Sequence, residues 1–355
     1  MDFRTNDFDY ELPREAIAQP PARRDRSRML VLRRSDDGME HRTIRDFPAL
    51  LAPGDCVVRN DTKVFKARVH GTIEGKNIEL LLVRPRSYDL QARGEQSEWL
   101  VLAKPARRLS VGATVRIDAI VGSVREREAD GSVWLAFDCS TAAVIATANR
   151  IGEVPTPPYV TGSVEQLEEY QTSYAAHEGS VAAPTAGFHL TDRMCQELNT
   201  KGVRIVSLTL HVGLGTFQPI RAERLADHAM HAEWVSIPQE TIETITATKR
   251  AGGRVVAIGT TTLRALEGAW MEQGALRPFS GPVDCFIIPG HAFPVVDALL
   301  TNFHLPRSTL LVLVSAFVAP GERSLRGRDM VLRAYREALA QGYRFYSFGD
   351  SMFIA

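Results

Sequence analysis

The sequence predicts an α/β protein: a mostly parallel sheet with helices on both faces, plus an inserted small antiparallel β-barrel domain. Three observations carry this. Helix–strand alternation dominates after residue 190, with Gly or Pro at the junctions. Residues 64–144 switch to short alternating segments punctuated by Gly71, Gly75, Gly94, Gly112, Gly122 and Gly131, without long 3.6-residue periodicity. The first 62 residues hold too little apolar sequence for a core of their own, so they complete the α/β part. The predicted domains are therefore 1–62 with 150–355, discontinuous, and 63–149 inserted between them.

The elements follow in order. Phe8-Asp9-Tyr10-Glu11-Leu12-Pro13 is extended and turns into a short helix around residues 14–18. Arg23-Arg24-Asp25-Arg26-Ser27-Arg28 precedes an apolar strand at 29–32; its arginines either hold phosphate or form a solvated face. Residues 41–51 read as a helix, because Ile44, Phe47 and Leu51 fall on one side. Pro53-Gly54 turns the chain into a strand, Cys56-Val57-Val58, that ends in Asn60-Asp61-Thr62. Barrel strands are expected at 64–69, 78–83, 99–102, 114–120 and 132–137, with a basic loop, Lys104-Pro105-Ala106-Arg107-Arg108. Pro155-Thr156-Pro157-Pro158-Tyr159 is a stiff boundary. A helix at 191–200 starts on Thr191 and stops before Gly202. Strands at 203–212 and 234–237 precede a helix that opens at Pro238 and ends at Gly252-Gly253. A strand at 254–258 leads through Gly259 into a helix carrying Leu263, Leu266 and Trp270. A strand at 286–288, helices at 305–319 and 329–340, and a strand at 343–348 finish the chain.

Composition narrows the function classes. The chain has 355 residues, enough for roughly two domains. A hydrophobic fraction of 45% and a charged fraction of 24% are those of an ordinary soluble protein. The net charge of +0 means that any RNA contact must come from local basic patches. Cys56, Cys139, Cys195 and Cys285 form no CxxC, which fits a reducing cytosol better than a disulfide framework or zinc module. Met1-Asp2-Phe3-Arg4 opens no signal peptide, and the apolar run 310–319 is too short to span a bilayer, so it reads as a buried helix. No P-loop, kinase signature or Ser-His-Asp order is present.

Four stretches could carry chemistry. Val181-Ala182-Ala183-Pro184-Thr185-Ala186-Gly187-Phe188-His189-Leu190-Thr191 is a small-residue loop running into a helix, with one imidazole at the junction. Free backbone N–H groups there suit an anionic ligand, and Gly187 permits a positive φ or a close approach; the bland alternative is a plain connection with a surface histidine. Gly213-Leu214-Gly215-Thr216 follows a strand like a cofactor loop, but lacks the third glycine and the acidic partner of a dinucleotide site. His228-Ala229-Met230-His231-Ala232-Glu233 has metal-like residues at no known ligand spacing, so a polar cleft wall or structural histidines compete with a metal. Gly259-Thr260-Thr261-Thr262 offers hydroxyls and N–H groups to a carboxylate or phosphate, or simply caps a helix; Arg264 and Glu267 pair one turn apart.

Taken together, these stretches resemble the S-adenosylmethionine:tRNA ribosyltransferase-isomerase family of the queuosine pathway. The resemblance also rests on Tyr170-Gln171-Thr172, Thr301-Asn302-Phe303-His304-Leu305-Pro306 and the aromatic run 343–348, and spans nearly the whole chain. It implies a cytosolic enzyme that moves and isomerises the ribosyl part of S-adenosylmethionine onto 7-aminomethyl-7-deazaguanine at the tRNA wobble position. Epoxyqueuosine forms, and adenine and methionine leave. No metal and no resident cofactor are implied; the protein is expected to be cytoplasmic and monomeric. Lys63, Glu153, the segment 161–169 and the Gly- and Arg-rich 319–328 depart from the family pattern. Roles are inferred within this frame. His189, then His211, is the expected base for a C5′ proton acidified by the sulfonium, an imidazole near neutrality suiting that task. Asp61 joins the catalytic set. Asn60, Thr185, Gly187, Gly213, Gly215, Thr216, His231, Glu233, Thr260, Thr261, Asn302 and His304 are expected to line the substrate cleft. Arg23, Arg24, Arg26, Lys104, Arg107 and Arg108 are the expected tRNA contacts. The rival readings are a class-I RNA methyltransferase and a noncatalytic RNA-binding protein.

Overall fold

A computed structural model describes residues 2–20, 24–88, 96–155, 167–213 and 220–355. Near the start, β1 (Arg28–Leu32) and β2 (Met39–Thr43) form a hairpin, followed by β3 (Cys56–Asn60) and β4 (Thr62–Val64). Six strands then close a barrel: β5 (Arg68–Ile73), β6 (Lys76–Pro85), β7 (Ser97–Lys104), β8 (Thr114–Ile117), β9 (Ile120–Arg127) and β10 (Val133–Phe137). All its neighbours are antiparallel, in the order β10-β7-β6-β5-β8-β9. Alternate residues, among them Ile78, Leu80 and Leu82, fill its interior around Trp99. Closure leaves no strand edge exposed. The expected strand at 114–120 is a hairpin, because Asp118 takes a φ of 51° and turns the chain between β8 and β9.

Beyond the barrel come α1 (Thr141–Ile151), β11 (His177–Ser180), α2 (Asp192–Thr200), β12 (Arg204–His211), β13 (Glu233–Ile237), α3 (Gln239–Arg250), β14 (Val255–Ile258) and α4 (Thr260–Gln273). Then follow β15 (Phe279–Val283), β16 (Ala298–Asn302), α5 (Thr309–Val318), α6 (Arg326–Ala340) and β17 (Ser351–Ile354). Nine strands form one mixed sheet, β15-β13-β12-β3-β14-β16-β17-β1-β2. The run β12-β3-β14-β16 is parallel, whereas β13, β15 and β2 attach antiparallel at the flanks. Period two along the strands sorts the core into two layers. Leu30, Val58, Leu210, Ala257 and Leu299 pack under α3, α4, α5 and α6. Met29, Val57, Val256 and Leu300 face the other way, against α2 and the 3₁₀ turn Ile44–Leu50. Every residue of α5 is buried, and Gly327 of α6 lies so near the Ser315 carbonyl that a Cβ would sit 2.0 Å from it. That glycine accounts for part of the unusual 319–328 stretch. Among the described residues no helix is long and apolar enough to cross a membrane.

Several local expectations change. Residues 41–51 hold the end of β2 and a 3₁₀ helix; Ile44 and Phe47 still face the core, because three-residue spacing serves a 3₁₀ helix as well. The strand expected at 286–288 is irregular, and its place is taken by β15, which carries Pro282. Proline is tolerated there because β15 is an edge strand. The aromatic run 343–348 is a set of turns with Tyr346 at φ 72°, and the strand begins later, at Ser351. Asp350 bends it by accepting the backbone N–H groups of Arg28 (2.9 Å) and Arg344 (2.8 Å). The helix α1 escaped the sequence reading; its apolar face is only Val144, Ile145 and Ala148. The Pro-rich boundary lies mostly outside the described residues.

Candidate active site

The parallel strands β3, β12, β14 and β16 end at one edge of the sheet, the position where open α/β sheets bind ligands. Asn60, His211, Gly259 and Asn302 stand at those ends. A cleft opens between the ends of β14 and β16. Thr185, Thr260, Thr261, Asn302 and His304 line it, with Phe303, Leu310 and Tyr346 as apolar wall. Among the described residues no charged side chain does.

One side of this cleft is the N-terminus of α4. Gly259 is its N-cap at φ 87° and offers no side chain to the first-turn N–H groups. The Thr262 hydroxyl turns back to the Ile258 carbonyl (2.7 Å). The Thr261 hydroxyl is buried and has no hydrogen-bond partner among the described residues. An uncapped helix start beside an unpartnered hydroxyl favours an anionic group.

Across the cleft, Thr185 donates to Asn302 Oδ1 (3.2 Å), and Asn302 Nδ2 reaches His189 Nε2 (3.1 Å) and the Asp350 carbonyl (3.3 Å). His189 therefore stands behind Asn302. It is 2% exposed, and its Nδ1 has no hydrogen-bond partner. Burial pushes the imidazole down to about 4, with the Arg24 main chain and Asp350 opposing. His304 bridges Thr301 Oγ1 and the Tyr335 hydroxyl, 3.3 Å from each, and burial pushes it down to about 3. Gly187 makes its close approach to Tyr174, whose hydroxyl lies 2.2 Å from where a Cβ would be, and not to the cleft.

At the end of β12, His211 Nδ1 is 2.8 Å from Thr62 Oγ1, and its Nε2 has no partner among the described residues. Burial pushes it down to about 3, helped by His177. The expected imidazole near neutrality is thus replaced by two that stay neutral, because both are desolvated. Asp61 is shifted the other way, upward by burial, against the Thr209 hydroxyl (2.7 Å) and His177 (3.8 Å). Asn60 has its amide consumed by main chain: Nδ2 donates to Leu210 O, and Oδ1 accepts from Thr62 N and Leu210 N. It staples β3 to β12, with one Nδ2 hydrogen and both Oδ1 lone pairs spent on main chain and the residue 1% exposed.

A second cavity lies where the barrel meets the sheet. Gly213, His231 and Glu233 line it together with Arg84 and Asp130, so the single expected cleft is two, meeting at Val212-Gly213. Glu233 accepts the Gly213 N–H (2.9 Å) and an ion pair from Arg264 (2.7 Å), both side chains being 4% exposed. The expected Arg264–Glu267 pair does not form. Glu267 instead accepts from His291 (3.0 Å) and from the N–H groups of Val295 (3.1 Å) and Val296 (2.9 Å). Each buried charge thus finds its partner on another element. His228 packs edge-on against Phe286, away from the cavity. Among the described residues no three His, Cys, Asp or Glu side chains gather as a metal site would need. Gly215 and Thr216 lie outside the described residues.

The basic residues separate. Arg24 is turned inward, donating to the carbonyls of Gln171 (3.0 Å) and Glu168 (3.4 Å) over the Phe188 ring. Arg26, Lys104 and Arg107 are exposed, Arg108 donates to the Asn77 carbonyl, and Arg23 lies outside the described residues. Of the departures from the family pattern, Lys63 pairs with Glu178 (3.1 Å), and Glu153 with His70 (3.5 Å). Sequence reasoning missed Tyr88, which reaches from the barrel to His211, and the pairing of Arg264 with Glu233. No local pattern marks either, since each partner is distant in sequence.

The sequence profile of a family described as "Queuosine biosynthesis protein" matches residues 5–354. The chain is 46% identical to an S-adenosylmethionine:tRNA ribosyltransferase-isomerase of Citrifermentans bemidjiense, over 98% of this chain and 99% of that protein. It is 44% identical to one of Gloeobacter violaceus, over 99% and 96%. Among solved structures it resembles an S-adenosylmethionine tRNA ribosyltransferase from Thermotoga maritima, with 34% identity, a TM-score of 0.56, and coverage of 98% of this chain and 100% of that one.

Proposed function

This chain belongs to the queuosine biosynthesis protein family, and we propose that it is an S-adenosylmethionine:tRNA ribosyltransferase-isomerase. It transfers and isomerises the ribosyl moiety of S-adenosylmethionine onto 7-aminomethyl-7-deazaguanine at the tRNA wobble position, forming epoxyqueuosine and releasing adenine and methionine. One observation carries this reading in the geometry: an anion-seeking helix start in a cleft that no cationic side chain lines among the described residues. S-adenosylmethionine needs both, a seat for its carboxylate and no positive charge near its sulfonium. Burial keeps His304 neutral on the cleft wall, which serves the same end.

The roles follow from position. Thr260 and Thr261 take the methionine carboxylate at the start of α4. Thr185 and Asn302 meet the ribose hydroxyls, and His189 positions Asn302 from behind. His211 is the better-placed proton acceptor of the two imidazoles: in the tautomer whose Nδ1–H donates to Thr62, Nε2 is its free acceptor, whereas His189 spends Nε2 on Asn302. Asp61, with its raised pKa, is the second titratable group, beside His177 of β11. The barrel-side cavity, with Gly213, His231 and Glu233, receives the tRNA base, and Arg26, Lys104, Arg107 and Arg108 hold its phosphates. Residues 63–149 act as the inserted domain, and the enzyme works in the cytoplasm as a monomer without a metal.

Two tracers test the reaction. Label on the ribose of S-adenosylmethionine is expected in tRNA, and label on the methyl group in free methionine. Methyl label in tRNA would overturn the reading and make Gly213-Leu214-Gly215 the loop of a methyltransferase.

A further inference from the structure

We propose that Tyr88, contributed by the barrel, is a positioning residue for the reaction: it clamps His211 in the orientation from which Nε2 accepts the substrate proton. This rests on the reading of His211 as that acceptor. The clamp has two jaws. On one face, the imidazole lies against the main chain of Gly179, where a Cβ would come within 2.7–2.9 Å of Cε1, Nε2 and Nδ1. On the other, the Tyr88 ring stacks at 4.4 Å and 22°. The jaws are tied together, because the Tyr88 hydroxyl donates to the Gly179 carbonyl (3.3 Å). Trp234, paired with His211 across β12 and β13, backs the Tyr88 ring at 5.7 Å.

Thr62 completes the device. Its hydroxyl on Nδ1 at 2.8 Å fixes rotation of the ring within its own plane. The two faces are blocked and one nitrogen is tied, so Nε2 is left aimed one way. An unclamped histidine at a strand end samples several rotamers. Loss of such placement costs a reaction about a hundredfold even for a small displacement. Sequence gives no hint of this, because Tyr88, Gly179 and His211 belong to three separate stretches.

The charged and titratable groups around the stack are few. His177 of β11, itself 3.8 Å from Asp61, acts on His211, while Arg84 of the barrel and Glu233 of β13 act on Tyr88. Removing the Tyr88 ring lets water reach the imidazole, which then titrates closer to its ordinary value.

The test is steady-state kinetics and a pH profile on the full chain with its tRNA. Tyr88→Leu is expected to lower kcat about 10- to 100-fold, with KM for S-adenosylmethionine within about threefold, and to move the acid limb of the kcat profile upward. Tyr88→Phe keeps the stack and should stay within about threefold of the parent. If Tyr88→Leu fails to fold, Tyr88→Met, which keeps bulk without a flat face, carries the same readout. His211→Gln separates the two levels of the argument. If it leaves kcat unchanged, the acceptor reading itself fails. If His211→Gln is inactive while the Tyr88 variants keep kcat and pH profile, the clamp is overturned. A Tyr88→Leu enzyme that loses only tRNA affinity overturns it too, since Tyr88 would then be an RNA contact.

Discussion

At Thr261 folding and binding are predicted to pull in opposite directions. A buried hydroxyl without a partner is a cost to the folded state, about 1–3 kcal/mol, and Thr261 has no partner until a ligand arrives. Thr261→Val keeps the shape and removes that cost. It should raise the melting temperature of the free enzyme by a few degrees, on the order of ΔΔG divided by the unfolding entropy. The same change should raise KM for S-adenosylmethionine about tenfold, the worth of one hydrogen bond to a charged group. A variant less stable than the parent would show that the hydroxyl has a structural partner. The contrast with His189 shows what sequence could reveal at this scale. The small-residue loop around it, the Thr260-Thr261 junction and Asn302 were all legible, because Gly, Pro and Thr at strand ends have local meanings. The order of the parts was not. That His189 stands behind Asn302, and that the Asn60 amide is consumed by β12, depend on partners more than 100 residues away.

Among the elements, β3 and β14 begin side by side, and Asp55 ties their starts. Its carboxylate accepts the Ala52 N–H, the Arg254 N–H and the Arg254 guanidinium, the last at 2.7 Å. Burial works to raise its pKa, but these bonds together hold it below the usual carboxylate range. A depressed carboxylate stabilises the fold above its unfolded pKa of about 3.9, and that contribution fades as pH falls through the lower folded value. Asp55→Asn should therefore cost about 2–3 kcal/mol near neutrality and progressively less in acid. Urea titrations from pH 7 to pH 3 would measure it; a difference that stays constant with pH would mean that charge is not what Asp55 supplies. Strands and long helices were readable here wherever a period of two or 3.6 ran for a full element. The misses share a cause. The edge strand β15 contains Pro282, α1 has only a narrow apolar face, and the aromatics at 343–348 alternate like a strand while Asp350 bends the chain. In each case tertiary contacts overruled the local signal.

Over the whole molecule, a barrel and a sheet share a boundary, and the two cavities meet there at Val212-Gly213. The change of pattern near residue 64 announced the barrel, but nothing local announced how Tyr88 would couple it to the sheet. The net charge of +0 sets the remaining problem: a polyanion as large as tRNA must be held without a global field. Lys104 and Arg107 are exposed at the end of β7, free of the internal duty that turns Arg24 inward. If they touch phosphates, each contact releases counterions, and the log–log dependence of affinity on salt steepens by about 0.9 per contact. Reversing both, Lys104→Glu with Arg107→Glu, should weaken tRNA binding at least tenfold at moderate salt and flatten the salt slope by about two. S-adenosylmethionine binding should not change, because its cleft opens at the ends of β14 and β16 and no described barrel residue lines it. The slope is the sharper readout. A nonspecific loss of fold would weaken both ligands, whereas loss of phosphate contacts alters one affinity and its salt dependence together. Unchanged tRNA affinity and slope would remove this loop from the docking surface and leave the phosphates to Arg26 and the sheet side of the molecule.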